Sequence, residues 1–213
     1  MNKEKETDHK AGALILSRLR MFNEATVYFE KIIDNTFWKS FDQFIERFIK
    51  ENNWAGKAEH ETQDYCWLAH PDWIIEGEDC KYWFEYVSTV KNDDDYLLAV
   101  LTGTGTEQGQ YGFQFKLNAG CFGGMRKLAA YASSLPSELC NHLVQQGFID
   151  QGKGNYFLPV ILDSAQLAEC WQEYGSFPLE NELFTPLRDV LEKLLQSAAL
   201  LDSMFSAGAD TRL

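Results

Sequence analysis

The stretch KYWFEYVST, residues 81–89, decides the fold because its side chains alternate with a period of two. In an extended backbone, Tyr82, Phe84 and Tyr86 share one side and the residues between them share the other. Such alternation is typical of a β-strand that lies with one face in the core of a protein. We therefore predict a strand here and place the rest of the fold around it.

Two further stretches repeat the alternation and predict an antiparallel meander. They are YLLAVLT, residues 96–102, and YGFQFKL, residues 111–117. The segments KNDDD and TGTEQGQ separate the three strands and are typical of hairpin loops. A shorter strand over residues 65–68 or 73–75 is expected to precede the meander.

Amphipathic helices are predicted on both sides of this meander. An apolar stripe with spacings of three, four or seven predicts a first helix that ends near Asn35. The stripe consists of Ile15, Leu19, Phe22, Phe29 and Ile33. Asn35 or Thr36 is expected to cap a second helix. After the meander, GGMRKLAAYASSL predicts a helix, and Pro136 is expected to separate it from the next one.

The last part of the chain predicts one more strand between helices. NYFLPVILD, residues 155–163, is typical of a buried strand. Pro159 has no N–H group to donate, so we expect this strand at a sheet edge or at a bulge. Asp163 and Gln166 predict a capping box for the next helix, and Gly175 is expected to end that helix.

Together these segments predict one α+β domain over residues 11–205. An antiparallel sheet of about four or five strands, a meander plus one later strand, is expected to pack against N-terminal and C-terminal helices. The parts are a helical pair (11–52), the sheet (62–118), a helix–strand–helix unit (123–175) and a C-terminal helix (180–205). Residues 1–10 are expected to form a disordered tail. Four side chains are expected in the core: Phe41, Phe48, Phe84 and Leu194.

The apolar stripe from Leu187 to Phe205 has the three-four spacing of an amphipathic helix. We favour its burial against the sheet of the same chain. The same spacing also suits the seam of a homodimer, so self-association is a second expectation.

Negative charge is concentrated in one window of the sequence. The chain has a formal net charge of −13, and residues 59–95 hold eleven acidic and two basic side chains, a net −9. Because phosphate backbones bind clustered lysine and arginine, direct nucleic-acid binding is disfavoured. Tryptophan and tyrosine side chains lie between these carboxylates, and such rings often form binding hot spots.

The charge window therefore predicts a protein-binding surface. We expect a non-catalytic interaction or regulatory module that binds a basic protein partner. The residues expected to contact the partner are Trp73, Glu76, Glu78 and Asp79.

An enzymatic alternative comes from Pro71-Asp72 followed by Glu85-Tyr86-Val87 on the predicted strand. This pattern resembles the PD-(D/E)XK nuclease motif over about a quarter of the chain. The resemblance implies a divalent metal held by Asp72 and Glu85. Val87 stands where the motif has its lysine, so the sequence departs from the family at that position and implies a degenerate nuclease.

A second alternative is anion or nucleotide binding at the start of the helix in NAGCFGGMRKLAAY. Arg126 and Lys127 occupy the first turn, where the positive end of the helix dipole disfavours cations. An anion bound at the amides of Gly123 and Gly124 would relieve this conflict. Pairing of the two basic side chains with the acidic sheet would relieve it equally well.

The remaining features predict a protein of the cytoplasm, in a bacterium or a phage. Five widely spaced cysteines form no CxxC pair, and no apolar run reaches the roughly 18 residues that would span a membrane. Four residues of ligand type, His60, Cys66, His70 and Cys80, fit no familiar zinc spacing. We assign no catalytic residue, no metal and no cofactor.

Overall fold

The computed structural model describes residues 2–63, 65–90, 95–106 and 109–209, with side chains from residue 9 onward. The chain has the predicted α+β class, with an antiparallel sheet packed against helices. The α-helices of the described ranges are α1 (Asn2–Ser17), α2 (Leu19–Tyr28), α3 (Asn35–Glu51), α4 (His60–Gln63), α5 (Leu97–Leu101), α6 (Met125–Ser133), α7 (Ser137–Gln145), α8 (Ser164–Tyr174) and α9 (Thr185–Phe205). The strands are β1 (Ala55–Ala58), β2 (Cys66–Ala69), β3 (Ile74–Glu76), β4 (Asp79–Cys80), β5 (Tyr82–Ser88), β6 (Tyr111–Leu117), β7 (Ile149–Gly152) and β8 (Asn155–Val160).

Six of these strands form one antiparallel sheet in the order β1-β2-β5-β6-β8-β7. The strand β5, which lies within the alternating stretch of residues 81–89, is an inner strand of this sheet. It pairs with β6 from Tyr82↔Leu117 to Ser88↔Tyr111. β3 and β4 form a separate two-stranded hairpin just before β5. Both of the shorter strands expected before the meander are therefore present, one in each sheet.

The predicted middle strand of the meander is wrong. Residues 97–101 form the helix α5, and β5 pairs directly with β6. A short apolar run has no periodicity that separates a buried strand from a buried helix, and leucine and alanine favour the helix. Leu98, Val100 and Leu101 are buried. The expected loops KNDDD and TGTEQGQ thus belong to one connection, of which residues 91–94 and 107–108 lie outside the described ranges.

The predicted helix boundary near Asn35 is also wrong. A π-helical segment, Phe29–Asp34, joins α2 to α3, so the helix runs without a break from Leu19 to Glu51. Asn35 bonds its side-chain amide back to the carbonyl of Lys31 at 3.2 Å and caps nothing. A π segment takes up one extra residue, which explains how the helix continues past a capping signal. The expected disordered tail is wrong for residues 2–10, because α1 begins at Asn2; residue 1 lies outside the described ranges.

The later elements follow the sequence more closely. Pro136 precedes α7, Asp163 caps α8 by accepting from the amides of Ala165 and Gln166, and Gly175 ends α8 at φ 60°. β8 is an inner strand, whereas an edge or a bulge was expected. The proline is still accommodated, because β7 pairs only with residues 155–157 and leaves Pro159 without a neighbour on that side.

The core lies between one face of the sheet and the helices, with α3 and α9 supplying many of its side chains. Phe41, Phe84 and Leu194 are fully buried, as expected, whereas Phe48 is half-buried. The stripe of α9 from Leu187 to Phe205 is buried in this core. The α9 stripe therefore serves the fold of its own chain.

Replacing Phe84 by alanine is expected to lower the free energy of unfolding by about 3 to 5 kcal/mol, because a large ring is removed from a closed core. Urea unfolding followed by circular dichroism measures this loss. Met125, which is 71% exposed, supplies the control, and Met125→Ala is expected to change the free energy by less than about 0.5 kcal/mol. Equal effects of the two substitutions would contradict the assigned sheet faces.

Candidate functional site

The sheet has a second face, and the side chains on it are mainly polar and aromatic. Lys57, Trp67, Glu85 and Gln114 are successive partners across β1, β2, β5 and β6. Partners in an antiparallel sheet share a face, so these four side chains lie opposite the buried ring of Phe84. We call this side of the sheet the outer face.

A small cavity lies at the outer face, beside the β3–β4 hairpin. Its volume is about 260 Å³. The lining residues are Tyr65, Trp67, Glu78, Asp79, Cys80, Trp83, Glu85 and Asn118. They come from β2, β5, the residue before β2, the hairpin and the end of β6. We call this cavity the acidic aromatic pocket.

Hydrogen bonds of Asn118 fix the base of the acidic aromatic pocket. Its side-chain amide donates to the carbonyl of Cys80 at 3.1 Å, and its backbone amide donates to the carbonyl of Lys81 at 2.8 Å. The end of β6 is thereby tied to the segment that links the hairpin to β5. The hairpin carboxylates are held next to Trp83 and Glu85 as a result.

Two lysines partly neutralise the carboxylates of the acidic aromatic pocket. Lys57 lies 2.6 Å from Glu78, and Lys116 lies 3.4 Å from Glu85. Asp79 forms no salt bridge with any basic side chain of the described ranges. Three carboxylates against two lysines leave the pocket negative, and the exposed Glu76 adds to that charge.

Burial and this negative charge together raise the pKa values of two neighbouring groups. Burial, followed by the charges of Glu85 and Glu78, raises the pKa of Tyr65. Burial, followed by the charges of Asp79 and Glu78, raises the pKa of Cys80 to about 11. Both groups are therefore protonated and neutral at pH 7. A positive charge is the species that this environment stabilises.

Trp73 is a correction to the predicted binding residues. Its ring is fully buried and packs on Tyr82, with ring centroids 4.9 Å apart, and on Phe84 and Phe115. Its carbonyl accepts from the amide of Lys81 at 2.8 Å. Trp73 cannot touch a partner, and its role is to anchor the hairpin on the core. Trp73 lies in a short turn outside the alternating stretch, so no period of two in the sequence indicates that its ring is buried.

The other three predicted binding residues lie together on the β3–β4 hairpin. Glu76, Glu78 and Asp79 are all exposed, and two of them line the acidic aromatic pocket. Although Trp83 belongs to the predicted group of rings between the carboxylates, the four predicted contact residues do not include Tyr65, Trp83 or Glu85. For the last two a signal was present, because the alternation along β5 already put them on the face opposite Phe84.

The two carboxylates of the nuclease-like motif, Asp72 and Glu85, do not share the acidic aromatic pocket. Asp72 is highly exposed in the turn Pro71–Trp73, and it does not line the acidic aromatic pocket to which Glu85 belongs. Across the described part of the chain, no group of three or more histidine, cysteine, aspartate or glutamate side chains is placed to hold a metal ion. The same finding covers the candidate zinc ligands, His60, Cys66, His70 and Cys80.

The predicted anion site differs from its expected geometry. Gly123 and Gly124 precede α6 with φ values of 71° and 106°, but their amides already donate to the carbonyls of Gly120 and Ala119. These amides are not available to an anion. Arg126 and Lys127 are exposed, and neither forms a salt bridge with an acidic side chain of the described ranges. The expected pairing with the acidic sheet is therefore not seen either.

A second acidic cavity lies between α8 and the segment that precedes α9. It has a volume of about 490 Å³ and contains Glu169, Glu173, Glu180 and Glu182. Glu180 is paired with Arg47. This cavity has one aromatic side chain, Tyr174, whereas the acidic aromatic pocket has three. It provides a comparison site of similar charge and different chemistry.

Comparison with known proteins adds no assignment, since no family model, curated protein or solved structure matches this chain. Within the described ranges, none of the helices is long and apolar enough to cross a membrane. The chemistry of the site therefore has to be inferred from its own side chains.

The raised pKa of Cys80 predicts a loss of stability in alkali. An unfolded thiol ionises near pH 9 and the folded thiol near pH 11, so the folded state holds the proton more tightly between these values. Stability is expected to be intact below pH 9 and to fall as the pH rises to 11. Urea midpoints at pH 8 to 11 measure this, and Cys80→Val is expected to lose less than the wild type. Parallel curves for the two proteins would show that Cys80 does not ionise as described.

Proposed function

We propose that the protein is a non-catalytic interaction or regulatory module whose acidic aromatic pocket binds a basic side chain of a protein partner. The observation that carries this proposal is the convergence of three carboxylates and three aromatic rings on one small cavity. Carboxylates attract a cation, and aromatic faces hold it through their quadrupoles.

The size of the acidic aromatic pocket favours a side chain over a small-molecule ligand. Pockets for drug-sized ligands and cofactors usually have volumes of about 300 to 1,000 Å³. At about 260 Å³, this cavity is below that range. One long side chain presented by a partner's surface suits it better than a nucleotide does. The negative charge of the site also opposes a phosphate group.

Arginine is the side chain that this site fits best. Its planar guanidinium stacks on aromatic rings and forms paired hydrogen bonds with carboxylates at the same time. Asp79, which has no basic partner among the described residues, supplies a carboxylate for such a pair. Trp83 and Tyr65, both partly exposed, supply accessible ring surface.

Lys57 and Lys116 adjust the strength of the site without blocking it. An exposed ion pair contributes about 0.2 to 1 kcal/mol, so a partner's cation can displace Lys57 from Glu78 at little cost. The lysines also lower the repulsion among the carboxylates when no partner is bound. We place this binding in the cytoplasm, where the five cysteines, all free, would stay reduced.

Reversing the charge of the hairpin is expected to remove binding to a basic probe. The variant replaces Glu76, Glu78 and Asp79 by lysine together. The probe is a fluorescent hexa-arginine peptide whose binding is followed by fluorescence anisotropy. We expect at least a tenfold loss of affinity, because attraction becomes repulsion. Wild-type binding is expected to weaken with salt, since the Debye length falls to about 8 Å at 0.15 M.

A matched control separates the site from overall charge. The control variant replaces three carboxylates of the second acidic cavity by lysine, which changes the net charge by the same amount. The replaced residues are Glu169, Glu173 and Glu182. This variant is expected to retain most of the affinity, and a citrulline peptide is expected to bind neither protein. A loss of affinity in the control variant that equals or exceeds the loss in the hairpin variant would overturn the proposal.

Single substitutions of the Lys57–Glu78 pair are expected to change affinity in opposite directions. Lys57→Gln frees the carboxylate of Glu78 and should strengthen hexa-arginine binding, whereas Glu78→Gln removes the carboxylate and should weaken it. Each change is expected to be about two- to fivefold, the range that exposed charge pairs give. Isothermal titration calorimetry measures both, and changes of the same sign would contradict a direct role for this pair.

A further inference from the structure

The N-terminal helices expose many large apolar side chains. Half of the 18 large apolar side chains that are exposed in the described ranges fall between residues 14 and 32. They are Leu14, Ile15, Leu16, Leu19, Met21, Phe22, Val27, Tyr28 and Ile32. Their exposed fractions run from 40% for Val27 to 69% for Leu16. We call these nine side chains the N-terminal apolar surface.

The C-terminal end of this helical region is held by the body of the protein. Phe29 and Ile33 are partly buried against the core, and the rings of Phe29 and Tyr96 lie 4.8 Å apart. The hydroxyl of Tyr96 donates to Glu30 at 2.8 Å. Phe22 still borders a cavity that Tyr96 and Leu167 also line, and the five apolar side chains of this surface before it are 44% to 69% exposed. Scattered exposed leucines are ordinary, but nine large apolar side chains exposed within 19 residues usually mark an interface.

We propose that the N-terminal apolar surface is the interface of an antiparallel homodimer. A twofold axis near Phe22 would place the first half of the region on the second half of the other copy. Such an interface is self-complementary, as twofold symmetry requires. The second expectation for α9, a homodimer seam, is thus moved to α1 and α2, while α9 keeps the core role that was favoured for it.

Charge complementarity favours a second copy of this chain as the occupant. Residues 9–23 contain Lys10, Arg18 and Arg20 and no acidic side chain. Residues 24–34 contain three acidic side chains and one lysine. Antiparallel association puts the basic half of each copy against the acidic half of the other, whereas parallel association puts like charges together.

The distribution of charge over the whole chain supports the same occupant. Two copies with a net charge of −13 repel each other over most of their surfaces. Residues 1–58 hold ten basic and nine acidic side chains, so this region is nearly neutral. Its near neutrality lowers the repulsion that two acidic copies meet when they approach through this region.

The test is sedimentation equilibrium of the full chain from about 1 to about 300 µM, a range that covers ordinary dimer affinities. A dimer is expected for the wild type and a folded monomer for Leu19→Glu with Phe22→Glu, with dimer affinity lowered at least a hundredfold. Both positions are exposed in the monomer, so circular dichroism and urea midpoints are expected to stay unchanged. Met125→Glu, at an exposed apolar position elsewhere, is the control and is expected to dimerise normally.

Two results would overturn the proposal. They are a wild type that is monomeric throughout the range and a dimer that survives Leu19→Glu with Phe22→Glu. Binding to vesicles of phosphatidylserine and phosphatidylcholine by a monomeric wild type would instead assign the surface to a membrane.

Discussion

The alternation along β5 is the constraint on which the rest of the structure depends. Tyr82, Phe84 and Tyr86 must enter the core, because burying them supplies much of the hydrophobic stabilisation of the sheet. The period of two then forces Trp83 and Glu85 onto the outer face. A slip of one residue would bury a carboxylate and expose three large rings. The position of the candidate site is therefore fixed by the packing of the opposite face.

The hairpin before β5 links that constraint to the charge of the molecule. Trp73 is buried in the same core cluster as Phe84 and holds the hairpin from below. The three carboxylates of the hairpin are consequently held beside the outer face despite their mutual repulsion. They are Glu76, Glu78 and Asp79. A rigid anchor of this kind lowers the entropy that a partner's side chain would lose on binding, since the site is already formed. Fold stability and the proposed binding thus depend on one cluster of rings.

Local signals predicted the α+β class, the strands β5, β6 and β8, and the cap of α8 by Asp163. They failed where tertiary contacts outweigh local preference. Residues 97–101 are apolar on every side, so their pattern suits a helix and a strand equally. Asn35 is a good cap, yet a π segment carries the helix through it. The alternation along β5 places Trp83 on the outer face, but Trp73 lies in a turn without such a pattern, and its burial became visible only in the folded chain.

The central claim is that the acidic aromatic pocket receives a cationic side chain, and nuclear magnetic resonance tests it at the level of single residues. Hexa-arginine peptide would be titrated into ¹⁵N-labelled protein while the indole N–H signals and backbone amides are followed. The account predicts that the indole of Trp83 and the amides of residues 76–85 shift together with one affinity, while the buried indole of Trp73 moves much less. Shifts confined to the cavity beside α8, or equal small shifts over all acidic surfaces, would contradict it.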